Sequence, residues 1–323
     1  MDIFFQQNKI SLGDALDFYS GWSEPTAIIS DGPYGVSGYE GDLKNSSHLK
    51  DFYIPHIKKW SEFATPQTTL WFWNTELGWA NVHGSLEDNG WIFKSCNIWD
   101  KGIAHIAGNC NGKTMKKFPV VTEVCVQYIR KETFKLKEGK EQSIQEWMRQ
   151  EWQRTGLTLN HANIACNVKN AASRKYLTKD HLWYFPPTKE FSKLVEYANK
   201  FGNQENKPYF SLDGKSSVSS NQWEKLRAKF NFEYGVTNVW SEPAMNNAKR
   251  FKVDKIYHPS EKPKKLLERI INASTDKGDT IWEPFAGSAS ASYLAMELKR
   301  NFNSAEINSK YFKIIKERFK DYI

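Results

Sequence analysis

The chain has 323 residues, of which 40% are hydrophobic and 25% charged, and its formal net charge is +8. This length can bury a full hydrophobic core and suits one large domain with an insertion or two modest domains. The longest apolar stretches are only strand-sized, so no membrane span is expected. The N-terminus lacks a signal-peptide pattern, and we expect a cytoplasmic location. The moderate basic excess favours a polyanionic partner.

The four cysteines are Cys96, Cys110, Cys125 and Cys166. They show no Cys-x-x-Cys spacing and no histidine pattern for zinc. We therefore expect reduced thiols and no bound metal.

The first 130 residues alternate strand-like and helix-like segments. Apolar runs predict strands over 27–29, 68–74, 91–100 and 123–130, and residues 49–63 have apolar side chains at helical spacing. This alternation is typical of an α/β sheet whose strands are connected by helices.

The middle of the chain differs from its ends in composition and in the regularity of its pattern. A helix-like segment at 143–156 is followed by irregular pieces rich in serine, asparagine and proline. We interpret residues 131–250 as an insertion into a domain that is formed by residues 1–130 and 251–323.

Regular alternation returns in the last part of the chain. The pattern predicts helices over 262–274, 288–300 and 311–319, with strands over 276–283 and 301–307 between them. Pro263 lies near the first turn of the first of these helices, where proline is well tolerated.

A polar turn follows the first predicted strand, with the sequence SDGPYG at residues 30–35. It presents a carboxylate (Asp31), a tight turn and an aromatic ring (Tyr34) in succession. Asp31 could instead cap a turn or a helix, which the Gly-Pro pair would also suit.

A second motif near the C-terminus reads EPFAGSAS, residues 283–290. The strand ends in Glu283 and passes through small residues into a helix, so that backbone amides can approach a ligand closely. Glu306 ends the next strand, where an acidic residue binds the ribose hydroxyls in nucleoside sites. Gly-x-Gly-x-x-Gly is absent, which argues against a dinucleotide. Carboxylates on both strands suit a ligand with a cationic end and a free ribose, such as S-adenosylmethionine.

Together these motifs resemble the amino-group DNA methyltransferases of restriction–modification systems in their circularly permuted, beta-type order. SDGPYG resembles the family's Asp-Pro-Pro-Tyr tetrad, and EPFAGSAS resembles its Asp-Pro-Phe-x-Gly-Ser-Gly turn. Three more elements agree in order, with the sequences GDAL (13–16), HPSEKP (258–263) and AEINSKYF (305–312). The resemblance covers both ends of the chain and leaves out the middle, which in that family reads the target sequence.

The resemblance implies a Rossmann-like α/β methyltransferase fold, with a mixed, mostly parallel sheet, helices on both faces and an inserted target-recognition region. It assigns the catalytic turn to Asp31, Gly32, Pro33 and Tyr34. Asp31 and the Gly32 carbonyl would accept hydrogen bonds from the amino group of a flipped base, and Tyr34 would stack on that base. The residues expected to bind the cofactor S-adenosylmethionine are Asp14, Ser260, Lys262, Glu283, Phe285, Gly287 and Glu306.

Contacts to double-stranded DNA are expected from basic clusters in and beside the unmatched middle. These residues are Lys113, Lys116, Lys117, Lys169, Arg174, Lys175, Lys249 and Arg250. Taken singly, each lysine is more typical of a solvated surface charge than of a phosphate contact, and the clustering favours DNA binding. A cognate restriction endonuclease is a candidate partner, and the protein is expected to be a monomer or a homodimer.

The expected reaction is methylation of an exocyclic amino group of DNA. An aspartate at the first position of the tetrad usually accompanies adenine N6 in this family, and cytosine N4 is the alternative. No cysteine here follows a proline, which argues against methylation at cytosine carbon 5. An RNA or protein amide methyltransferase and a catalytically silent DNA-binding subunit are further alternatives.

The chain departs from the family pattern at three positions. Gly32 replaces the first proline of the tetrad, Glu283 replaces an aspartate, and Ala289 replaces a glycine. We expect Ala289 to keep a negative φ, because a side chain disfavours the left-handed region.

Overall fold

The computed structural model describes residues 2–5, 8–37, 42–106, 113–131, 133–135 and 141–322. The strands are β1 (Asp2–Phe5), β2 (Asn8–Leu12), β3 (Ala27–Ser30), β4 (Thr69–Asn74), β5 (Trp91–Asp100), β6 (Thr122–Arg130), β7 (Thr133–Lys135), β8 (Glu141–Ser143), β9 (Val239–Ser241), β10 (Thr280–Glu283) and β11 (Asn301–Glu306). The α-helices are α1 (Leu49–Phe63), α2 (Glu76–Asp88), α3 (Ile144–Arg154), α4 (Leu159–Cys166), α5 (Thr188–Phe201), α6 (Ser220–Glu224), α7 (Lys264–Ser274), α8 (Ser290–Glu297) and α9 (Ser309–Arg318). None of the helices within these described ranges is long and apolar enough to cross a lipid bilayer.

The chain divides into two compact units, one formed by Met1–Arg130 with Ala228–Ile323 and the other by Lys131–Arg227. Nine described strands of the first unit form one sheet in the order β1-β2-β11-β10-β3-β4-β6-β5-β9. The five strands from β2 through β4 in this order (β2, β11, β10, β3 and β4) are parallel to one another, and β9 pairs parallel with β5. The pairs β1–β2, β4–β6 and β5–β6 are antiparallel. Because parallel strands end at one edge, the turns that follow β3, β10 and β11 meet there.

The two faces of this sheet are covered by different helices, because successive side chains of a strand point to opposite faces. Ile28 and Leu70 are fully buried in a cluster with side chains of α1 and α2. Ile29 and Trp71 are buried in a second cluster with side chains of α7, α8 and α9. The predicted α/β fold, a mixed and mostly parallel sheet with helices on both faces, is thus confirmed.

The predicted helix over 49–63 is confirmed at both ends, and the predicted C-terminal elements are all present within a few residues. The sequence pattern missed the short strands β1, β2 and β9. Such strands carry too few residues for an alternation of apolar and polar side chains to stand out.

The boundary of the insertion at residue 250 is wrong. Residues 228–250 belong to the first unit, because β9 extends the sheet there through pairing of Trp240 with Trp99. The Trp240 side chain is buried in the same cluster as Trp73 and Leu266. A strand of three residues between polar segments left no readable signal for this pairing.

The second unit has a core of its own. Helices α3 to α6 pack their apolar side chains together, with the rings of Phe191 and Trp223 stacked at a centroid distance of 3.8 Å. Glu151 lies at the edge of this core, where it accepts a hydrogen bond from the Phe210 N–H and forms an ion pair with Arg154.

Candidate active site

The turns at the carboxyl edge of the sheet surround a cavity of about 370 Å³. Segments that follow β2, β3, β10 and β11 line it together with helix α1. The lining residues are Gly13, Asp14, Ala15, Asp31, Gly32, Pro33, Phe52, His56, His258, Pro284, Phe285, Gly287, Ala305, Glu306, Ile307, Asn308 and Tyr311. The N-terminal acidic turn and the C-terminal small-residue turn therefore share one cavity.

Glu306 connects two of these segments at the end of β11. Its carboxylate accepts hydrogen bonds from the backbone N–H of Gly287, at 2.6 Å, and of Asn308, at 2.7 Å. Burial raises the pKa of Glu306 to about 7, although both hydrogen bonds act in the opposite direction. The carboxyl group can therefore change its protonation state near neutral pH.

The Gly287 backbone lies against a buried histidine ring. Gly287 has φ +56°, and a Cβ built on it would lie 3.0 Å from Cε1 of His258. Burial lowers the pKa of His258 to about 3, and the nearby positive charge of Lys262 acts in the same direction. His258 therefore contributes a neutral ring to the cavity wall at physiological pH.

An aromatic wall forms another side of the cavity. The Phe285 ring lies 4.9 Å from the His56 ring and 5.8 Å from the Phe52 ring, between centroids. His56 is held through Nδ1 by the Tyr19 hydroxyl at 2.9 Å, and burial lowers its pKa to about 4. The wall is therefore uncharged at neutral pH and can contact an aromatic ligand.

Asp31 follows β3 and is held by a lysine from the distant C-terminal segment. Both carboxylate oxygens accept hydrogen bonds from Lys262 Nζ, at 2.7 and 2.8 Å. The Tyr34 hydroxyl also donates to Asp31 Oδ1 at 2.9 Å. Burial raises the pKa of Asp31, and the positive charge of Lys262 opposes this shift.

A second carboxylate, Glu123 at the start of β6, completes the polar network. The Tyr34 hydroxyl lies 3.0 Å from Glu123 Oε2, and Lys262 Nζ lies 3.5 Å from the same oxygen. Lys101 Nζ lies 2.6 Å from Glu123 Oε1. Burial acts to raise the pKa of Glu123, but the charges of Lys262 and Lys101 outweigh it, so that this pKa is lowered.

Gly32 occupies a position that has no room for a side chain. A Cβ built there would lie 2.6 Å from the Tyr53 hydroxyl oxygen and 2.7 Å from Cδ2 of Phe285. The Tyr53 hydroxyl donates to the Pro33 carbonyl at 3.1 Å, and Asn74 Nδ2 donates to the same oxygen. The turn that lacks the family's first proline is therefore held by side chains from α1 and β4.

Glu283 and Ala289 differ from expectation. Glu283 is not among the residues that line the cavity, because its carboxylate accepts the N–H groups of Ala291 and Ser292 and the Ser292 hydroxyl. It thereby caps helix α8, whose N-cap Ala289 has no side-chain hydrogen bond. Ala289 has φ +52°, so the expected negative φ is wrong.

Two more residues predicted to bind the cofactor lie outside the cavity lining. Ser260 is half-buried, and Lys262 is buried with its ammonium group committed to Asp31 and Glu123. Asp14, Phe285, Gly287 and Glu306 do line the cavity, as do Asp31, Gly32 and Pro33 of the tetrad, whereas Tyr34 does not.

Neither His258 nor Glu123 was predicted from the sequence to be a site residue. His258 stands first in the HPSEKP motif, so a signal was present. Glu123 is a charged residue at the head of a predicted buried strand, which is unusual unless the charge has a partner. For Phe52 and His56 the only signal was their spacing of four residues on the predicted helix 49–63, which places them on one face.

The predicted DNA-binding residues are distributed over both units. Lys113, Lys116, Lys117 and Lys249 are exposed in the first unit, and Lys169, Arg174 and Lys175 are exposed in the second. Arg250, in the first unit, is half-buried, with its guanidinium carbon 5.4 Å from the Tyr257 ring centroid. Of the four cysteines, Cys96, Cys125 and Cys166 are free thiols, and Cys110 lies outside the described residues.

The fold and the site define a Rossmann-like α/β protein with a ligand cavity at the carboxyl ends of its parallel strands. The sequence model of a family described as DNA methylase, of the N6/N4 methyltransferase type, matches residues 26–317. Because this match covers most of the chain, the protein belongs to that family.

Several characterised relatives match parts of the chain. The DNA adenine methyltransferase YhdJ of Escherichia coli (strain K12) is 42% identical over 78 residues, which are 24% of this chain and 25% of the relative. The type II methyltransferase M2.DpnII of Streptococcus pneumoniae is 46% identical over 61 residues, or 19% of this chain and 23% of the relative. The aligned region thus spans about a quarter of the length of these relatives.

Solved structures resemble the whole chain in fold. The M1.HpyAVI–SAM complex has a TM-score of 0.52 at 16% identity, over 96% of this chain and 98% of that one. The cytosine-N4-specific PvuII DNA methyltransferase has a TM-score of 0.54 at 11% identity, over 98% of this chain and 90% of that one. These likenesses confirm the methyltransferase fold that the sequence motifs predicted.

Proposed function

We propose that this protein is a DNA methyltransferase that transfers a methyl group from S-adenosylmethionine to the exocyclic amino group of a flipped base, with adenine N6 as the target. The observation that carries the proposal is that Asp31 and the turn with Phe285 and Gly287 line the same cavity. Membership of the DNA methylase family and the name of the Escherichia coli relative, a DNA adenine methyltransferase, support it.

The cavity lining fits the proposed cofactor. The Phe285 and Phe52 rings provide an apolar wall suited to adenine, and Glu306 provides acceptors for ribose hydroxyls. Gly287, lacking a Cβ, keeps its backbone close to the cavity. When bound, S-adenosylmethionine supplies a methyl group on a positively charged sulfur.

Asp31 prepares the nitrogen of the target base. An exocyclic amino group is a weak nucleophile because its lone pair is delocalised into the ring. Acceptors at Asp31 and the Gly32 carbonyl would draw its two N–H bonds out of the ring plane and localise the lone pair on nitrogen. Holding the nitrogen in this geometry supplies the positioning part of the rate enhancement.

DNA recognition is proposed for residues 131–227 together with the basic clusters of both units. Double-stranded DNA is the proposed macromolecular substrate, and a restriction endonuclease specific for the same site is the proposed functional partner. The name of the Streptococcus pneumoniae relative, a type II methyltransferase, supports this assignment. Action on DNA fits a cytoplasmic protein that is a monomer or a homodimer.

The experiment compares the wild type with Asp31→Ala and, as a control, Asp88→Ala, which replaces an exposed aspartate at the end of α2. Each protein is incubated with methyl-labelled S-adenosylmethionine and unmethylated DNA, which is then digested to nucleosides. We expect label on N6-methyladenine for the wild type and Asp88→Ala, and a loss of at least about a thousandfold for Asp31→Ala, because the acceptor is removed.

Cofactor binding by Asp31→Ala, measured by calorimetry, should stay within about tenfold of wild type. Label on N4-methylcytosine would move the target to cytosine. Label confined to RNA or protein, or no label from the wild type with equal DNA retention by all three proteins, would refute the proposal.

A further inference from the structure

Glu123 is a half-buried carboxylate that lies beside the proposed acceptor without lining the ligand cavity. Its side chain is 15% exposed, and its two oxygens contact Lys101 on one side and Tyr34 and Lys262 on the other. Because it does not reach the cavity, any effect on the reaction must pass through these neighbours. We propose that Glu123 is a positioning residue, whose carboxylate holds the Lys262 ammonium and the Tyr34 hydroxyl where both contact Asp31.

The charges around Asp31 are balanced, and the meaning of this balance for catalysis rests on the proposed function. Two carboxylates, Asp31 and Glu123, face two ammonium groups, those of Lys262 and Lys101. The Lys262 side chain is only 3% exposed. An ammonium group this buried is stable only when it is compensated by charges and hydrogen bonds, which the two carboxylates provide.

The rings around Lys262 reinforce this pairing. Its Nζ lies 5.2 Å from the centroid of the Tyr34 ring and 5.3 Å from that of the Trp73 ring. Both distances are within the range of a cation–π contact. The rings exclude water from the ammonium group, so that its contacts with the carboxylates keep Asp31 in one orientation.

The Tyr34 hydroxyl is the second connection between the two carboxylates. It lies 2.9 Å from Asp31 Oδ1 and 3.0 Å from Glu123 Oε2. A hydroxyl group has one proton and can donate it fully to only one of these oxygens at a time. The Tyr34 hydroxyl and the Lys262 ammonium therefore both lie between the two carboxylates, and Glu123 fixes each of them from the side opposite Asp31.

The charge of Glu123 has an effect on Asp31 that can be measured. The negative charge of Glu123 raises the pKa of Asp31, whereas the positive charge of Lys262 lowers it. Removing either charge should therefore shift the titration of Asp31, and in opposite directions. Other titratable groups that face the network are Cys125, His105 and His258.

The first measurement needs neither cofactor nor DNA. In protein labelled with ¹³C at the aspartate carboxyl carbons, the Asp31 signal is identified by its loss in Asp31→Asn, and its titration is followed by NMR. Glu123→Gln is expected to lower the Asp31 pKa, and Lys262→Met to raise it. Glu123→Asp keeps the charge and is expected to retain a midpoint close to that of the wild type.

The second measurement is the single-turnover rate of methyl transfer as a function of pH. We expect Glu123→Gln to lose at least about tenfold at the optimum, the factor that one charge-assisted hydrogen bond contributes, with the acidic limb moved to lower pH. Lys262→Met should move that limb to higher pH. The cofactor KM should stay within about twofold in Glu123→Gln, since Glu123 is outside the cavity.

Glu151→Gln is the matched control, because Glu151 is a buried, ion-paired carboxylate of the second unit. It should leave the Asp31 titration unchanged. An Asp31 pKa that is unchanged or raised in folded Glu123→Gln would overturn the inference. If Glu123→Gln does not fold, the other two variants test the inference. The Asp31 pKa should then be raised in Lys262→Met and close to that of the wild type in Glu123→Asp, and failure of either result overturns the inference.

The two proposals fail in different ways. A wild type that methylates nothing refutes the proposed function, while the NMR titration still tests the coupling of Glu123 to Asp31. A methylating wild type whose variants lose rate without any shift in titration keeps the proposed function and refutes the positioning role.

Discussion

Glu306 is a cavity residue whose charge changes with pH near neutrality. Its pKa is raised to about 7 by burial, whereas those of His56 and His258 are lowered to about 4 and about 3. Both histidines therefore stay neutral in the range where Glu306 titrates. Glu283, with a pKa of about 7, is committed to helix α8 and lies outside the lining.

We expect the affinity for S-adenosylmethionine to rise with pH up to about pH 8. Ribose hydroxyls donate to the ionised carboxylate, so binding lowers the pKa of Glu306 and releases its proton. Below about pH 7 the protonated group must first lose this proton, which weakens binding by up to about tenfold per pH unit. Calorimetry in buffers of different ionisation enthalpy measures both the affinity and the proton release.

Glu306→Gln tests the assignment of this effect. The amide has no ionisation in this range, so the affinity of the variant should be low and nearly independent of pH. A wild-type affinity that is flat from about pH 6 to about pH 8, or a slope that persists in Glu306→Gln, would contradict the role of Glu306.

At the scale of elements, helix α1 and the turn after β3 are fitted to each other. Tyr53 of α1 is fully buried, and its hydroxyl lies where a side chain at position 32 would have to go. The sequence showed that Gly32 departs from the family tetrad, but not that a tyrosine of the following helix would compensate. A contact of this kind depends on how a helix packs on a sheet, which the local pattern does not encode.

Gly32→Ala is expected to destabilise the protein by about 1–3 kcal/mol, the usual cost of overpacking. Its added Cβ overlaps both the Tyr53 hydroxyl and the Phe285 ring. Adding Tyr53→Phe should recover part of the loss, because it removes one of the two clashing groups. Urea unfolding of the two single variants and the double variant gives the coupling energy.

Gly84→Ala is the control for this cycle. Gly84 lies inside α2, and a Cβ there would meet no atom within 4 Å. Alanine should stabilise that helix by about 0.5–1 kcal/mol. Equal effects at positions 32 and 84, or no coupling between Gly32 and Tyr53, would show that the fit is not tight.

How far the elements were predictable follows from their length and pattern. Helix α1 and strands β4, β5 and β6 were predicted because long apolar periods or runs mark them. Strand β9 was missed, and with it the end of the insertion. The acidic turn and the small-residue turn were found by their motifs. The ion pair between Lys262 and Asp31 was not predicted, because such a pair leaves no pattern in the local sequence around either residue.

At the scale of the whole molecule, the proposed DNA contacts come from separate parts of the chain. Lys113, Lys116 and Lys117 belong to the connection between β5 and β6, whose strand ends pair at Asp100 and Thr122. Trp99 pairs with Glu123 in the same register, and Glu123 contacts Tyr34. This connection therefore leaves the sheet beside the acidic turn after β3, where the proposed function requires a nucleic acid to bind.

We expect two basic clusters, one in each unit, to contribute to the salt dependence of DNA binding. Replacing Lys113, Lys116 and Lys117 with glutamine should reduce the slope of log K against log salt concentration by about 0.9 for each phosphate that the protein no longer neutralises. Replacing Lys169, Arg174 and Lys175 should do the same. Fluorescence anisotropy with a labelled duplex at several salt concentrations measures the slope.

A triple glutamine variant of Lys189, Lys193 and Lys200 on α5 carries the same change in charge. It should leave the slope within experimental error of the wild type. A reduction equal to that of the two clusters would mean that the DNA senses only the overall charge of the protein, against the proposed contacts.

The ion pair between Asp31 and Lys262 joins positions 231 residues apart, and β3 pairs with β10 over a similar separation. A nascent chain on the ribosome therefore presents the acidic turn with Asp31 long before Lys262 is synthesised. Asp31 lacks its compensating charge until Lys262 emerges, and β3 has an open flank until residues 280–306 emerge. Exposed strand edges favour contacts with other chains. A chaperone would therefore be needed most during the period of synthesis in which the N-terminal segment has emerged and strands β10 and β11 have not.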